Sequence, residues 1–208
     1  MPTTENDRSL SPRQAKRQRI LRAAIEVFSR EGYFSARMTD VAKRAEVADG
    51  TLYLYFEGKE HLLLSVFDDV LGRFIDQLRF QTRAVDNPID KLRIMVRLHL
   101  ETLGSDRALA HVLQVETRHS RRFMNILSRG KLGEYLSLLK DIVEEGQELG
   151  SFRRDIDSNV ATNVIFGAVD ELVNRWLLVS QPEDLTHFLD PIMQMLCQGI
   201  VPCENHGG

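Results

Sequence analysis

Two cysteines, Cys197 and Cys203, are all that a chain of 208 residues contains. That number excludes a disulfide framework, and no neighbouring residue completes a metal site with them. A reducing compartment, the cytoplasm, is the expectation. No apolar run approaches the ~18 residues of a membrane-spanning helix. The opening MPTTENDRSLSPRQ lacks the apolar centre of a secretory signal. Strand-like alternation, internal repeats and low-complexity tracts are missing too. So are a glycine-rich phosphate loop and a serine in a nucleophile-elbow pattern, which leaves nucleotide chemistry and serine hydrolysis without support.

Charge of one sign is also lacking overall. With 27 basic and 30 acidic residues the formal net charge is −3, so the whole chain does not advertise a polyanion partner. Its distribution does. Arg13, Lys16, Arg17, Arg19 and Arg22 crowd one stretch with no acid among them, whereas the later chain is acidic on balance. Such asymmetry points to nucleic acid or a membrane surface at the basic end.

What remains is helical punctuation. Residues 1 to 10 read as a flexible arm. Ser11-Pro12-Arg13-Gln14 combines an N-cap, a proline at the first helical position and a glutamine three residues after the cap. Ile20, Leu21, Ala24, Ile25, Val27 and Phe28 then follow the 3.6-residue period to Gly32. Thr39 is the expected cap of a short second helix, with Val41, Ala42 and Ala45 inward. A third covers about Asp49 to Tyr55. Lys59 opens a long amphipathic helix to about Arg83, Asn87-Pro88 starts another, and Gly104-Ser105-Asp106 separates the next pair. A further helix ends near Gly150. Asp157 or Ser158 caps one through Val179, and Ser180-Gln181-Pro182 starts the last, which Pro191 should kink or restart. The expected fold is all-α, with a helix-turn-helix domain over 11–58, a larger helical domain over 59–200 and a tail over 201–208.

Thr39 to Phe56 has the layout of a helix-turn-helix, whose second helix enters the major groove. Leu52 and Phe56, four apart, form its buried stripe, which turns Thr51, Tyr53 and Tyr55 outward. Hydroxyls donate to phosphate oxygens, Gly50 admits a close backbone approach, and Lys59 brings an ammonium to a helix start. Lys43, on the first helix of the pair, joins the candidate contacts. The block RILRAAIEVFSREGYFSARMTDVAKRAEVADGTLYLYFEGKEHLL resembles the DNA-binding domain of the TetR family of bacterial repressors, with Phe28, Gly32, Tyr33, Thr39, Val41, Ala42, Gly50, Leu52, Tyr53, Tyr55, Phe56, Lys59, Glu60 and Leu62 at the family's spacing. The resemblance implies that Thr39, Tyr53, Tyr55 and Lys59 hold phosphates while Gly50 and Thr51 sit against base edges of a palindromic operator. Two residues depart from it. Glu46 stands where the family turns on glycine, which implies a strained or reshaped turn. Asp49 occupies a surface position as a helix cap or, alternatively, as an acceptor for a cytosine amino group.

Beyond residue 67 the family likeness implies an effector-binding body and a homodimer joined through the last two helices. Val169, Leu172, Trp176 and Met195, with Phe166, Val173, Leu177, Ile192 and Leu196, are the candidate seam; the same spacing also suits an ordinary core. LAHVLQVETRHS, EEGQELGSFRRDID and VIFGAVDELVNRW are similar to the FadR subgroup, regulators of fatty-acid degradation, which implies a long-chain acyl-CoA effector. Leu98, Leu103, Val112, Leu113, Val115 and Phe166 are candidates to line a dry tunnel. Arg118, Arg121 and Arg122 are candidates for the coenzyme phosphates. No bound cofactor or metal is expected. A multidrug-efflux regulator with the same fold would need acids such as Glu101, Glu116 or Asp170 in its pocket. Glu116 and His119 have di-iron spacing but no second copy, which argues against an enzyme. His61, His99 and His111 stand singly on helices. A membrane-surface role for the basic helix conflicts with its apolar face being needed for the domain core.

Overall fold

The computed structural model describes residues 11–116, 121–180 and 183–200, apart from the side chains of 116 and 121–124; no strand occurs among them. Helix α1 (Pro12–Glu31) begins as its sequence dictates. The Gln14 amide donates to the Ser11 hydroxyl at 3.2 Å, and the Ser11 amide donates back to the Gln14 side chain at 2.9 Å, satisfying two of the donors a helix start leaves open. Helix α2 (Met38–Arg44) follows, with extended Arg37 in the cap position and no side-chain cap bond. Thr39 is therefore not the cap; it lies exposed inside the first turn.

The link from α2 to α3 (Asp49–Tyr53) turns on Glu46 at φ 54°. Val47 N–H donates to Ala42 C=O at 3.0 Å and Glu46 N–H to Lys43 C=O at 3.2 Å. This crossed pair is the Schellman closure, with a glutamate in the left-handed site that glycine normally fills. Asp49 is the first residue of α3 rather than its cap, since Ala48 holds that place without a side-chain bond. Helix α3 also stops two residues before Tyr55.

Helix α4 (Lys59–Thr82) joins the head to the body. Then come α5 (Pro88–Gly104), α6 (Arg107–His111), a π-helical turn (Val112–Glu116), α7 (Arg121–Arg129) and α8 (Lys131–Glu148). Helix α9 (Ser158–Leu178) is capped by Asp157, whose carboxylate accepts from Asn159 N–H at 2.9 Å and Val160 N–H at 3.1 Å. Residues 181–182, where the last element was expected to start, lie outside the described residues. That element is seen from a 3₁₀ turn (Leu185–Phe188) capped by Asp184, followed by α10 (Leu189–Ile200). Pro191 falls in the first turn of α10 and so marks a restart.

Two apolar cores result, and α4 serves both. Leu62, Leu63, Val66, Phe67 and Val70 pack with α1 to α3 in the head, where Leu109, Val112 and Leu127 of the body join them. Phe74, Ile75 and Leu78 pack in the body core with Leu92, Leu100, Leu139 and Val173. The head core thus runs well past Lys59. In the body, Phe152 folds back so closely on α8 that a β-carbon at Gly146 would sit 2.1 Å from its ring; only glycine fits there. His99 and Tyr135 lie inside the body, and burial pushes the imidazole down to about 4.

Replacing Glu46 with glycine relieves the left-handed backbone. We expect Glu46→Gly to raise unfolding stability by about 1 kcal/mol, read as a shift in denaturant midpoint; an unchanged or lower midpoint contradicts strain at this turn. His99 is neutral in the folded state and ionisable near 6.5 when unfolded. The contribution of His99 to stability is therefore constant above about pH 6.5 and declines by about 3 kcal/mol as pH falls toward 4. His99→Phe should flatten that part of the pH profile in chemical denaturation.

Candidate nucleic-acid interface and effector cavity

The head presents α3 to solvent on the side away from Leu52 and Phe56, both buried. Thr39, Lys43, Asp49 and Gly50 are exposed, Tyr53 is 55% exposed, and Thr51 is partly covered. Nothing lies within 4 Å of where a Gly50 β-carbon would stand, so its backbone is open to a partner. Tyr55 is half-buried rather than outward: its ring lies against Phe56, and the Arg13 guanidinium is 6.0 Å from its centre. Arg17 sits similarly 5.7 Å from the Phe56 ring and 3.5 Å from the Asp69 carboxylate. Part of the basic stretch on α1 is thus held against the α3–α4 junction, while Lys16, Arg19 and Arg22 line a shallow outer groove with Pro12 and Ala15.

Lys59 opens α4 as expected, and its side chain also has partners within the head. Its ammonium donates to Phe34 C=O at 2.9 Å and Ala36 C=O at 3.0 Å and lies 4.8 Å from the Tyr33 ring centre. Partial burial holds its pKa below the usual lysine value. Lys59 is first a tie between α4 and the loop after α1, with one ammonium proton left for a phosphate. Two exposed apolar side chains in the head escaped the sequence reading: Leu54 at 78% and Phe34 at 69%. Leu54 stands between the two tyrosines, and the missed signal was that it lies off the Leu52–Phe56 stripe.

The body encloses a cavity of about 440 Å³. Helix α4 contributes Phe67, Val70, Leu71 and Phe74; the π-helical turn contributes Leu113 and Gln114. Of the expected lining, Leu103, Leu113 and Phe166 are present. Leu98 is buried in the surrounding core, Val112 belongs to the head core, and Val115 is half-buried; none of the three lines the cavity. Arg118 lies outside the described residues, as do the side chains of Arg121 and Arg122. At one end His99, Phe74, Tyr135 and Phe166 meet edge to face or tilted, with ring centres 5.1 to 6.4 Å apart. The His99 Nδ1 and the Tyr135 hydroxyl share a 3.0 Å hydrogen bond.

The acids proposed for a cation pocket are placed otherwise. Glu101 is exposed, and Asp170, though it lines the cavity, accepts from Gln114 Nε2 at 2.6 Å. The Glu116 side chain and His119 fall outside the described residues. Among the described residues no three His, Cys, Asp or Glu side chains cluster as metal ligands, and no helix is long and apolar enough to cross a membrane. The candidate dimer seam is partly turned inward. Val169, Val173, Ile192 and Leu196 belong to the core, and Leu172 rests on it. Trp176 is buried, donating to Glu183 C=O at 2.8 Å under the Arg107 guanidinium. Of the expected seam Met195 is exposed, and Val160, Val164 and Leu178 are further exposed apolar groups of α9.

Comparison with known proteins fits this division. Residues 20–66 match the family described as "Bacterial regulatory proteins, tetR family", and residues 67–199 match "YsiA-like protein, C-terminal region". The fatty acid metabolism regulator protein of Bacillus subtilis (strain 168) is 34% identical over 195 residues, covering 92% of this chain and 98% of that one. The solved structure of the fatty acid degradation regulator FadR from Bacillus halodurans superposes with a TM-score of 0.85 at 38% identity, over 92% of this chain and 98% of that one. FadR from Bacillus subtilis in complex with stearoyl-CoA gives 0.84 at 33% identity, over 88% and 98%. These relatives are regulators, not enzymes. A helix-turn-helix head on a hollow helical body, matched along nearly its whole length, has one reading: the chain belongs to the TetR family of DNA-binding bacterial regulators.

Proposed function

We propose that this protein is a repressor of fatty-acid degradation genes that releases its operator when a long-chain acyl-CoA enters the body. The observation that carries the reading is the apolar cavity of about 440 Å³ on α4, in a chain 33% identical to a regulator solved with stearoyl-CoA. The volume is within the range of small-molecule sites, and the aromatic and aliphatic walls suit an acyl chain. Arg118, Arg121 and Arg122 are the candidates to meet the coenzyme phosphates outside it. Two copies joining through α9 and α10, by way of Val160, Val164, Leu178 and Met195, would present two heads to a palindromic operator. The site of action is the cytoplasm.

The coupling has a physical route. Phe67 and Val70 touch the cavity and belong to the head core as well. On the π-helical turn, Leu113 and Gln114 line the cavity while neighbouring Val112 packs in the head core. A ligand pressing on these walls shifts the head, and with it the spacing of the recognition helices. The shift can be no larger than the ligand's preference between the two arrangements.

A series of acyl-CoAs graded by chain length tests the reading. Long-chain members at a hundred times Kd should stabilise the protein by about 2.7 kcal/mol in thermal unfolding and release labelled operator. Stabilisation without release would separate binding from control and sink the regulatory claim. In the head, Thr51→Ala should narrow the gap between operator and random DNA, whereas Lys59→Ala should weaken every sequence alike and also lower Tm, because its ties to Phe34 and Ala36 are lost. Filter binding against both DNAs, beside a melting curve, reads both effects.

A further inference from the structure

Leu54 is the apolar exception on an otherwise polar reading face. It is 78% exposed, more than Tyr53, and it closes α3 in right-handed helical geometry at φ −71°. Its amide donates to Thr51 C=O at 3.2 Å, so it continues the helical rise. Residues three and four apart share a helix face. Leu54 therefore stands on the face of Gly50 and Thr51, opposite the buried Leu52 and Phe56. Both of those face-mates are candidates for base-edge contact, and the backbone at Gly50 is unobstructed.

A leucine held in water gains by burial, and a surface that closes on DNA buries it. Along the floor of the major groove each base edge offers donors and acceptors, which a leucine cannot meet. The methyl group among these edges is the C5-methyl of thymine, a larger apolar target than the C5–H of cytosine. Phosphates are polar, and the sugar CH groups are the same at every base pair, so only the thymine methyl would make this contact sequence-dependent. The sequence pattern of the family does not fix this position; the placement comes from the exposure of Leu54 and its register with Gly50 and Thr51.

We propose that Leu54 is a specificity residue that reads a thymine methyl in each operator half-site. The inference rests on α3 being the helix that enters the major groove. Deoxyuridine provides the test, because it deletes the methyl and leaves every hydrogen-bonding group of thymine in place. An operator selected from random duplexes is resynthesised with deoxyuridine at each half-site thymine in turn, symmetrically in both arms. One position should weaken the full-length protein about fourfold per half-site, the worth of one buried methyl. In Leu54→Ala that position should bind thymine and deoxyuridine equally. Leu54→Ala changes an exposed side chain, and its melting curve confirms the fold.

The idea is overturned if the selected half-sites carry no thymine, if no deoxyuridine substitution matters, or if the sensitive position stays sensitive in Leu54→Ala. Thr51→Ala separates this from failure of the underlying reading. If it blunts operator preference while deoxyuridine has no effect, α3 reads DNA and Leu54 does not read thymine. If neither Thr51→Ala nor Leu54→Ala blunts operator preference, α3 is not the reading helix and both claims fall.

Discussion

The apolar stripe along α4 is the constraint on which the rest of the molecule depends. From Leu62 to Val70 it is the floor of the head core; from Phe74 to Leu78 it is a wall of the body. One rigid helix of 24 residues therefore belongs to two hydrophobic units at once. Neither unit can reorganise around it without disturbing the other, because close-packed interiors transmit displacement rather than absorb it. The cavity opens against the stretch where the two memberships meet, between Phe67 and Val70 of the head core and Leu71, which packs on both cores. That placement is the physical basis of the coupling proposed between cavity and head.

The second link is local. The π-helical turn after α6 places Leu113 and Gln114 on the cavity and Val112 in the head core within three residues. A π-helical turn widens the backbone and gives up regular hydrogen bonding, and such turns gather at functional positions. With α4 it brackets the cavity from two sides, so two of the links between head and body run along its wall, beside those that Leu109 of α6 and Leu127 of α7 make with the head core.

Much of this was legible in the sequence because capping chemistry is local. Ser11-Pro12 with Gln14, Asn87-Pro88 and Asp157 each place a helix start where the structure has one. The buried face of the head follows from a 3.6-residue period that no long-range contact overrides. Several of the features not legible there share a cause: they concern side chains whose partners are distant in sequence. Lys59 reaches carbonyls of residues 34 and 36, and Tyr55 is covered by Arg13. Val169 and Trp176 look like a seam because their apolar spacing is the same for a core and an interface. The π-helical turn has no sequence signature at all, and Thr39 and Asp49 show that a good capping residue one or two places inside a helix leaves the cap unmade.

The turn at Glu46 has a wider implication. A left-handed backbone filled by a residue with a β-carbon is a store of unrealised stability, available through a single exposed position that touches neither cavity nor core. Folded proteins are held near a threshold rather than at an optimum. The head of this regulator therefore holds a reserve of stability that one substitution beside its recognition helix would release.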